Sequence, residues 1–410
     1  MGRRLAWLEG IRIFAAMILL IYHAQLLLTD YAYTPQPTGL IENFRLMSAV
    51  TERLGDPGSL GYWAAMPMWF GFQFVDVFVL VSGFSLVLSL KGQAMRAGTF
   101  VVGRCLRILL PFWTVAALAY PALWLLGTLT KSYVPDAWHM FAGLTFPLLF
   151  DYSGRLLLST SGPWWFVPLI LSFAIAFPAL WWLLERWGSR NFLILTSAVT
   201  LGYRLLGVYV FDGHPTYTII SATASWFPFL SMLAKLSTFA LGMVVARQFQ
   251  VGRGAILWSD RRAMGVGILT YGLGFVGEFY RAGWIFSDAL IAIGLTLLCM
   301  VVFRWLCLNY WFSRLSIVLG SYSYTYFLLH NFVVDRTIRL IVQGRLDSYY
   351  QMLPLMIVGT LGLALIVDAV VPKVRSGAIG LFWWMDRRLR TSVSTERSSA
   401  KQMMTDRARR

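Results

Sequence analysis

The chain has 410 residues, 58% of them apolar and 13% charged. Soluble domains run at roughly 45–50% apolar and about 25% charged, so this composition, with a mean hydropathy of +0.64, excludes an ordinary soluble enzyme and a disordered or nucleic-acid-binding chain. The formal net charge of +16 then reads as Lys and Arg gathered in cytoplasmic loops rather than as a nucleic-acid footprint.

Apolar runs near the ~20 residues that a helix needs to cross the bilayer fall at 11–28, 68–90, 105–128, 163–184, 191–211, 225–247, 263–280, 284–303, 315–334 and 351–371. They are continuous rather than alternating, which argues for helices and against an outer-membrane barrel. The predicted fold is all-α, a polytopic transmembrane bundle of about ten spans. The first run holds Arg12 and His23 and lacks a small-residue cleavage site, so it reads as a span and not as a cleavable signal. Residues 30–67, rich in Pro, Gly and polar residues, form the first outside loop, and the short stretch 139–150 is re-entrant or interfacial. An even span count puts both ends on one side. With both termini cytoplasmic, Lys and Arg show a roughly threefold inside bias.

Residues 1–375 form the membrane domain. Residues 376–390, with Phe382, Trp383 and Trp384 before Arg387, Arg388 and Arg390, suit an amphipathic segment on the anionic inner leaflet of the plasma (inner) membrane. Residues 391–410 read as a basic, disordered tail. No repeat and no appended soluble catalytic domain is expected. Cys105, Cys299 and Cys307 have no metal-ligand spacing and read as small hydrophobes, with no disulfide and no metal site.

Ionisable groups within spans cost roughly 2.5–3.5 kcal/mol each at mid-helix and need a reason. Arg12 and His23 are eleven residues apart, about three turns, so they share a helix face with a rise of about 16 Å. Glu9, one turn before Arg12, can pair with it. The result is a polar stripe from the cytoplasmic surface to mid-bilayer. A neutral imidazole at that depth suits general-base chemistry on a hydroxyl. Motifs for serine hydrolysis, zinc proteolysis and ATP use are absent. The second run carries Asp76, which wants a cationic or His partner, and Ser82-Gly83, which allows close helix approach. Arg104 and Arg107 at i, i+3 share a face and suit phosphate, or serve as inside anchors. Arg204 and Lys235, deeper in their runs, neutralise Asp76, line the site, or snorkel.

These residues are similar to those of a known family. Leu8-Glu9-Gly10-Ile11-Arg12 with His23 after ten intervening residues resembles the first-helix signature of the acyltransferase-3 family of integral membrane O-acyltransferases. Phe74-Val-Asp76 through Ser82-Gly83-Phe84 resembles its second-helix motif, and Arg104-Cys-Leu-Arg107 its RxxR element. Trp164-Trp165-Phe166-Val-Pro168 followed by Phe177-Pro178 resembles its Trp-rich helix, and Ser321 through Tyr326 to His330 its late Ser-Tyr…His motif. The matches are in order over about residues 5–335.

The resemblance implies transfer of an acyl group, commonly acetyl, from cytoplasmic acyl-CoA as co-substrate to a hydroxyl of a surface carbohydrate or its lipid-linked precursor. The family's functional His maps to His23, its basic residue to Arg12 and its RxxR pair to Arg104 and Arg107. Many members carry a Glu in the Trp-rich helix where this chain has Pro168, Leu169, Ile170 and Leu171, so Asp76 becomes the candidate acid partner of His23. His23 acts as general base, or carries the acyl group itself or relays it to Ser82. Trp164 and Trp165 are candidate oxyanion or substrate contacts, and His330 a candidate acceptor contact. Acyl-CoA, membrane lipids and a carbohydrate are the expected partners, with no nucleic acid. The competing readings are a transporter or flippase for a polysaccharide precursor, which intramembrane charges also suit, and a non-catalytic sensor or scaffold, which leaves the Arg12–His23 stripe unexplained.

Overall fold

The computed structural model describes residues 5–90, 92, 93, 95–131, 162–213, 231–374 and 376, and no strand occurs among them. The helices are α1 (Ala6–Leu28), α2 (Leu40–Thr51), α3 (Leu60–Met68), α4 (Phe74–Leu90), α5 (Ala97–Thr130) and α6 (Phe166–Tyr209). They continue with α7 (Leu236–Gln250), α8 (Asp260–Gly277), α9 (Ser287–Leu306), α10 (Tyr310–Gly320) and α11 (Ser323–Thr337), and end with α12 (Leu346–Val374). Among the described residues, six helical segments are long and apolar enough to cross a membrane: Ala6–Leu28, Leu60–Leu90, Ala97–Thr130, Pro163–Tyr209, Ser287–Leu306 and Leu346–Val374.

The expected runs differ from these in instructive ways. Runs 163–184 and 191–211 both lie in α6, which breaks at Gly188, where φ 74 and ψ 167 are not helical. A left-handed φ there suits a residue without Cβ. Run 315–334 is not one helix but two, α10 and α11. The Ser321 and Ser323 hydroxyls donate to the carbonyls of Val318 and Gly320, and such local bonds compete with the helical ladder. The stretch 139–150, the start of run 225–247, and residues 377–410 of the interfacial segment and tail lie outside the described residues.

The loop expected at 30–67 is folded. Buried Asn43 knits it, accepting from Gln36 N at 2.7 Å and donating to the carbonyls of Gln36 and Gly39 at 2.7 and 2.8 Å. The Trp69 indole N–H donates to Thr51 at 2.9 Å and Gln25 to the Ala65 carbonyl at 3.1 Å. Tyr33, Met47, Leu54, Trp69 and Phe70 form a satellite core with Tyr22 and Leu26 of α1 and with Phe279. This cap is held to the last turns of α1, beside His23.

Helix α1 lies at the centre and packs on α4, α9, α10 and α11. Helices α4 and α7 cross at glycines. A Cβ on Gly242 would lie 2.0 Å from the Leu80 carbonyl oxygen, and one on Gly83 2.2 Å from that of Phe239. The close approach expected of Ser82-Gly83 is therefore backbone against backbone.

Candidate active site

His23 projects from α1 into the bundle and is 5% exposed. Its Nδ1 is 2.8 Å from the Leu19 carbonyl oxygen and 3.1 Å from Nε2 of His330 on α11. The two rings lie 5.0 Å apart, centroid to centroid. His330 is fully buried, with its Nδ1 2.5 Å from the Phe327 carbonyl oxygen. These contacts fix the tautomers by elimination. A carbonyl oxygen only accepts, so Nδ1 carries the hydrogen in both neutral rings. His330 Nε2 is then a lone-pair acceptor that shares the His23 Nδ1–H with Leu19. That leaves His23 Nε2 with a free lone pair, and no hydrogen bond engages it among the described residues. Tyr22 flanks the ring at 5.1 Å, and Phe327 packs on His330 at 5.3 Å.

Arg12 sits lower on α1. Its Nη1 is 3.4 Å from both carboxylate oxygens of Glu9, and its Nη2 donates to Ser85 Oγ at 2.9 Å. The hydroxyl brought to the stripe is thus Ser85, one turn on from the expected Ser82. Ser82 is half-buried and makes no hydrogen bond among the described residues. Arg104 is half-buried, its guanidinium 5.7 Å from the Phe100 ring centroid, and Arg107 is exposed. Neither has a carboxylate partner among the described residues, and Arg104 lies within electrostatic reach of both Arg107 and Arg12. Arg104 and Arg107, one turn apart on α5, present like charges that favour an anion.

Asp76 is not the partner of His23. Its Oδ1 accepts from Lys235 Nζ at 2.7 Å. Lys235 also bonds Asp288, which accepts from Arg204 Nη1 at 2.6 Å. Arg204 Nε donates to the Trp284 carbonyl at 2.8 Å. Of the readings open for Arg204 and Lys235, ion pairing in the bundle is the one observed. The chain Arg204–Asp288–Lys235–Asp76 joins α6, α9, the turn before α7, and α4.

Trp164 is 2% exposed and its indole N–H donates to the Leu328 carbonyl at 2.9 Å. It packs edge-on against Phe112 and Phe332, at 4.8 and 5.1 Å. That N–H is committed, so Trp164 holds α11 in place rather than pointing at a reacting group. Trp165 is half-buried and edge-on to Phe166.

Two features escape a reading of the sequence. Asp288 opens an apolar run, and only its pairing with two cations gives it a role. His330 belongs to the late motif, but nothing in its spacing shows that its ring meets that of His23, 307 residues away. Among the described residues no group of His, Cys, Asp and Glu suits a metal ion.

Comparison with known protein families matches residues 5–370 to the acyltransferase-3 profile, described as an acyltransferase domain. No curated protein matches the chain, and no solved structure does.

Proposed function

The chain belongs to the acyltransferase-3 family, and from that premise we propose that it is a multi-pass membrane O-acyltransferase that moves an acyl group, acetyl foremost, from cytoplasmic acyl-CoA to a hydroxyl of a cell-surface carbohydrate or its lipid-linked precursor. The observation that carries this reading is the orientation of His23, whose Nδ1–H is tied down and whose Nε2 is left with its lone pair.

Arg104, Arg107 and Arg12 bind the phosphates of acyl-CoA, and the acyl-bearing arm follows the Arg12–Ser85 side of α1 and α4 towards His23. Nε2 takes the proton of the acceptor hydroxyl as its oxygen attacks the thioester carbon. The C–S bond breaks, and the proton passes from Nε2 to the departing thiolate. His330 and the Leu19 carbonyl hold the imidazole in the tautomer this needs and share the imidazolium hydrogen while it is charged. The same lone pair serves if His23 takes the acyl group first and passes it on. The ten-span topology with cytoplasmic termini in the plasma membrane completes the proposal, since it puts the arginines on the side where acyl-CoA is found.

The test is mass spectrometry of cell-surface glycans with the native chain and with His23→Ala. The native chain adds one acyl mass to the glycan. The variant remains in the membrane and adds none, and full acylation by it ends the role given to His23. The buried chain Arg204–Asp288–Lys235–Asp76 is the feature a precursor transporter would share. Loss of the protein would then leave lipid-linked precursor to accumulate with no change in acyl mass.

A further inference from the structure

One short segment grips the turn of α11 that carries His330. The turn Gly162–Trp165 leads into Phe166 at the start of α6. From it the Trp164 indole N–H donates to the Leu328 carbonyl at 2.9 Å. The helical ladder already brings the N–H of Phe332 to that oxygen, and a carbonyl has a second lone pair to offer the indole. Two residues on, the Phe166 ring lies 5.1 Å from that of Phe327. Phe327 in turn supplies the carbonyl that engages His330 Nδ1 at 2.5 Å. Apart from His23, no other segment hydrogen-bonds to residues 327–330 among the described residues.

Trp164 is itself held. Its ring stands edge-on between Phe112 of α5 at 4.8 Å and Phe332 of α11 at 5.1 Å, so the N–H is aimed at Leu328 by packing on both sides. The other side-chain anchors of α11 lie earlier in the helix. The Tyr324 hydroxyl donates to the Ile108 carbonyl at 3.1 Å, and Thr325 Oγ1 to Asp368 Oδ1 at 2.5 Å. Thr325 is five residues before His330, about 7.5 Å along the axis. These two bonds hold the first turn and not the one that carries His330. What depends on that later turn is the 3.1 Å contact of His330 Nε2 with His23 Nδ1. It is near the long end of the range for such a bond, where a few tenths of an ångström decide its strength.

We propose that Trp164 is a positioning residue for His330. Its indole N–H fixes the place of the Leu328 carbonyl, and with it the His330 Nε2 lone pair that receives the His23 Nδ1–H. This rests on the role given to His23 above. Trp164 touches no reactant and acts through His330 alone. Removing its N–H lengthens the His23–His330 hydrogen bond, so the imidazolium formed on His23 during transfer loses part of its support. Arg104 and Arg107 make no contact with Trp164, and donor binding is untouched.

Two changes at position 164 test this in the full-length protein. Trp164→Phe removes the N–H and keeps a ring between Phe112 and Phe332. Site-specific 3-benzothienylalanine removes the N–H from a ring of nearly the same size, so a loss common to both comes from the hydrogen bond and not from a cavity. Acyl-transfer turnover is expected to fall about threefold in each, less than for full removal of one hydrogen bond, with KM for acyl-CoA unchanged. In a His330→Phe background neither change costs anything more, because the acceptor it places is gone. Native turnover with the isostere, a raised KM, or losses that multiply in the double variant overturn the proposal. A second arm needs no substrate. Solid-state nitrogen NMR of the histidine-labelled protein in lipid, with His23 and His330 assigned by replacing each, is expected to show His330 Nε2 moving towards its unbonded shift in both position-164 variants. Unmoved signals overturn the positioning role. This arm decides the geometry even where the native chain transfers no acyl group, the result that would end the proposed function instead.

Discussion

His23 and His330 share one hydrogen, and that bond is the site's most exposed dependence on a single atom. Replacing His330 with Phe keeps an aromatic ring but removes the acceptor at 3.1 Å, leaving the Leu19 carbonyl as the only hold on Nδ1 among the described residues. One such bond contributes about 1 kcal/mol, so the expected result is a fall in acyl-transfer turnover of about fivefold with acyl-CoA affinity maintained. Native turnover in that variant would remove His330 from the positioning role. At this scale the sequence is readable where a residue's neighbours lie on its own helix. The Glu9–Arg12 contact follows from i, i+3 spacing, and the shared face of Arg12 and His23 follows from helical period. It is unreadable where partners come from distant segments. Asp76 finds Lys235, 159 residues away, because burial requires a cation, and no local pattern says which one.

Helix α4 illustrates how an element carries several tasks at once. One end holds Asp76 in the charged chain, its middle presents Gly83 to α7, and Ser85 receives Arg12. The α4–α7 crossing leaves no room for a methyl group at Gly242, where the Leu80 carbonyl would stand 2.0 Å from an added Cβ, while Gly272 on α8 has nothing within 4 Å of its own. Gly242→Ala is therefore expected to destabilise by about 1–3 kcal/mol through overpacking, read as a lower melting temperature in detergent. Gly272→Ala, in open space, is expected to leave the melting temperature unchanged or to raise it slightly. Equal melting temperatures for both variants would show that the crossing yields without cost. Hydropathy locates α4 and α6 as apolar runs. It does not find the break at Gly188 or the division of α10 from α11, because these depend on one φ angle and on two serine hydroxyls rather than on apolar content.

Across the whole molecule, α1 is the most enclosed of the six long apolar segments and α12 the least, which fits a bundle built around α1 with α12 facing lipid. A reporter that works only in the cytoplasm is expected to function when fused after Arg410 and to fail when inserted in the α2–α3 cap. The opposite result would reverse the sidedness and move the arginine cluster away from acyl-CoA. The all-helical class was legible from composition and continuous runs alone. The folded cap was not, since its core is assembled from Asn43, Trp69 and Phe279 with the end of α1, none of which forms a periodic pattern. The contact of α4 with α7, carbonyl oxygen against glycine, has a mechanical corollary. Where main chain meets main chain at Gly83 and Gly242, the two rods have little room to slide past one another. Lys235, just ahead of α7, and Asp76, on α4, therefore keep their spacing during any rearrangement of the bundle. A gap that admits a donor and an acceptor is therefore expected away from this crossing.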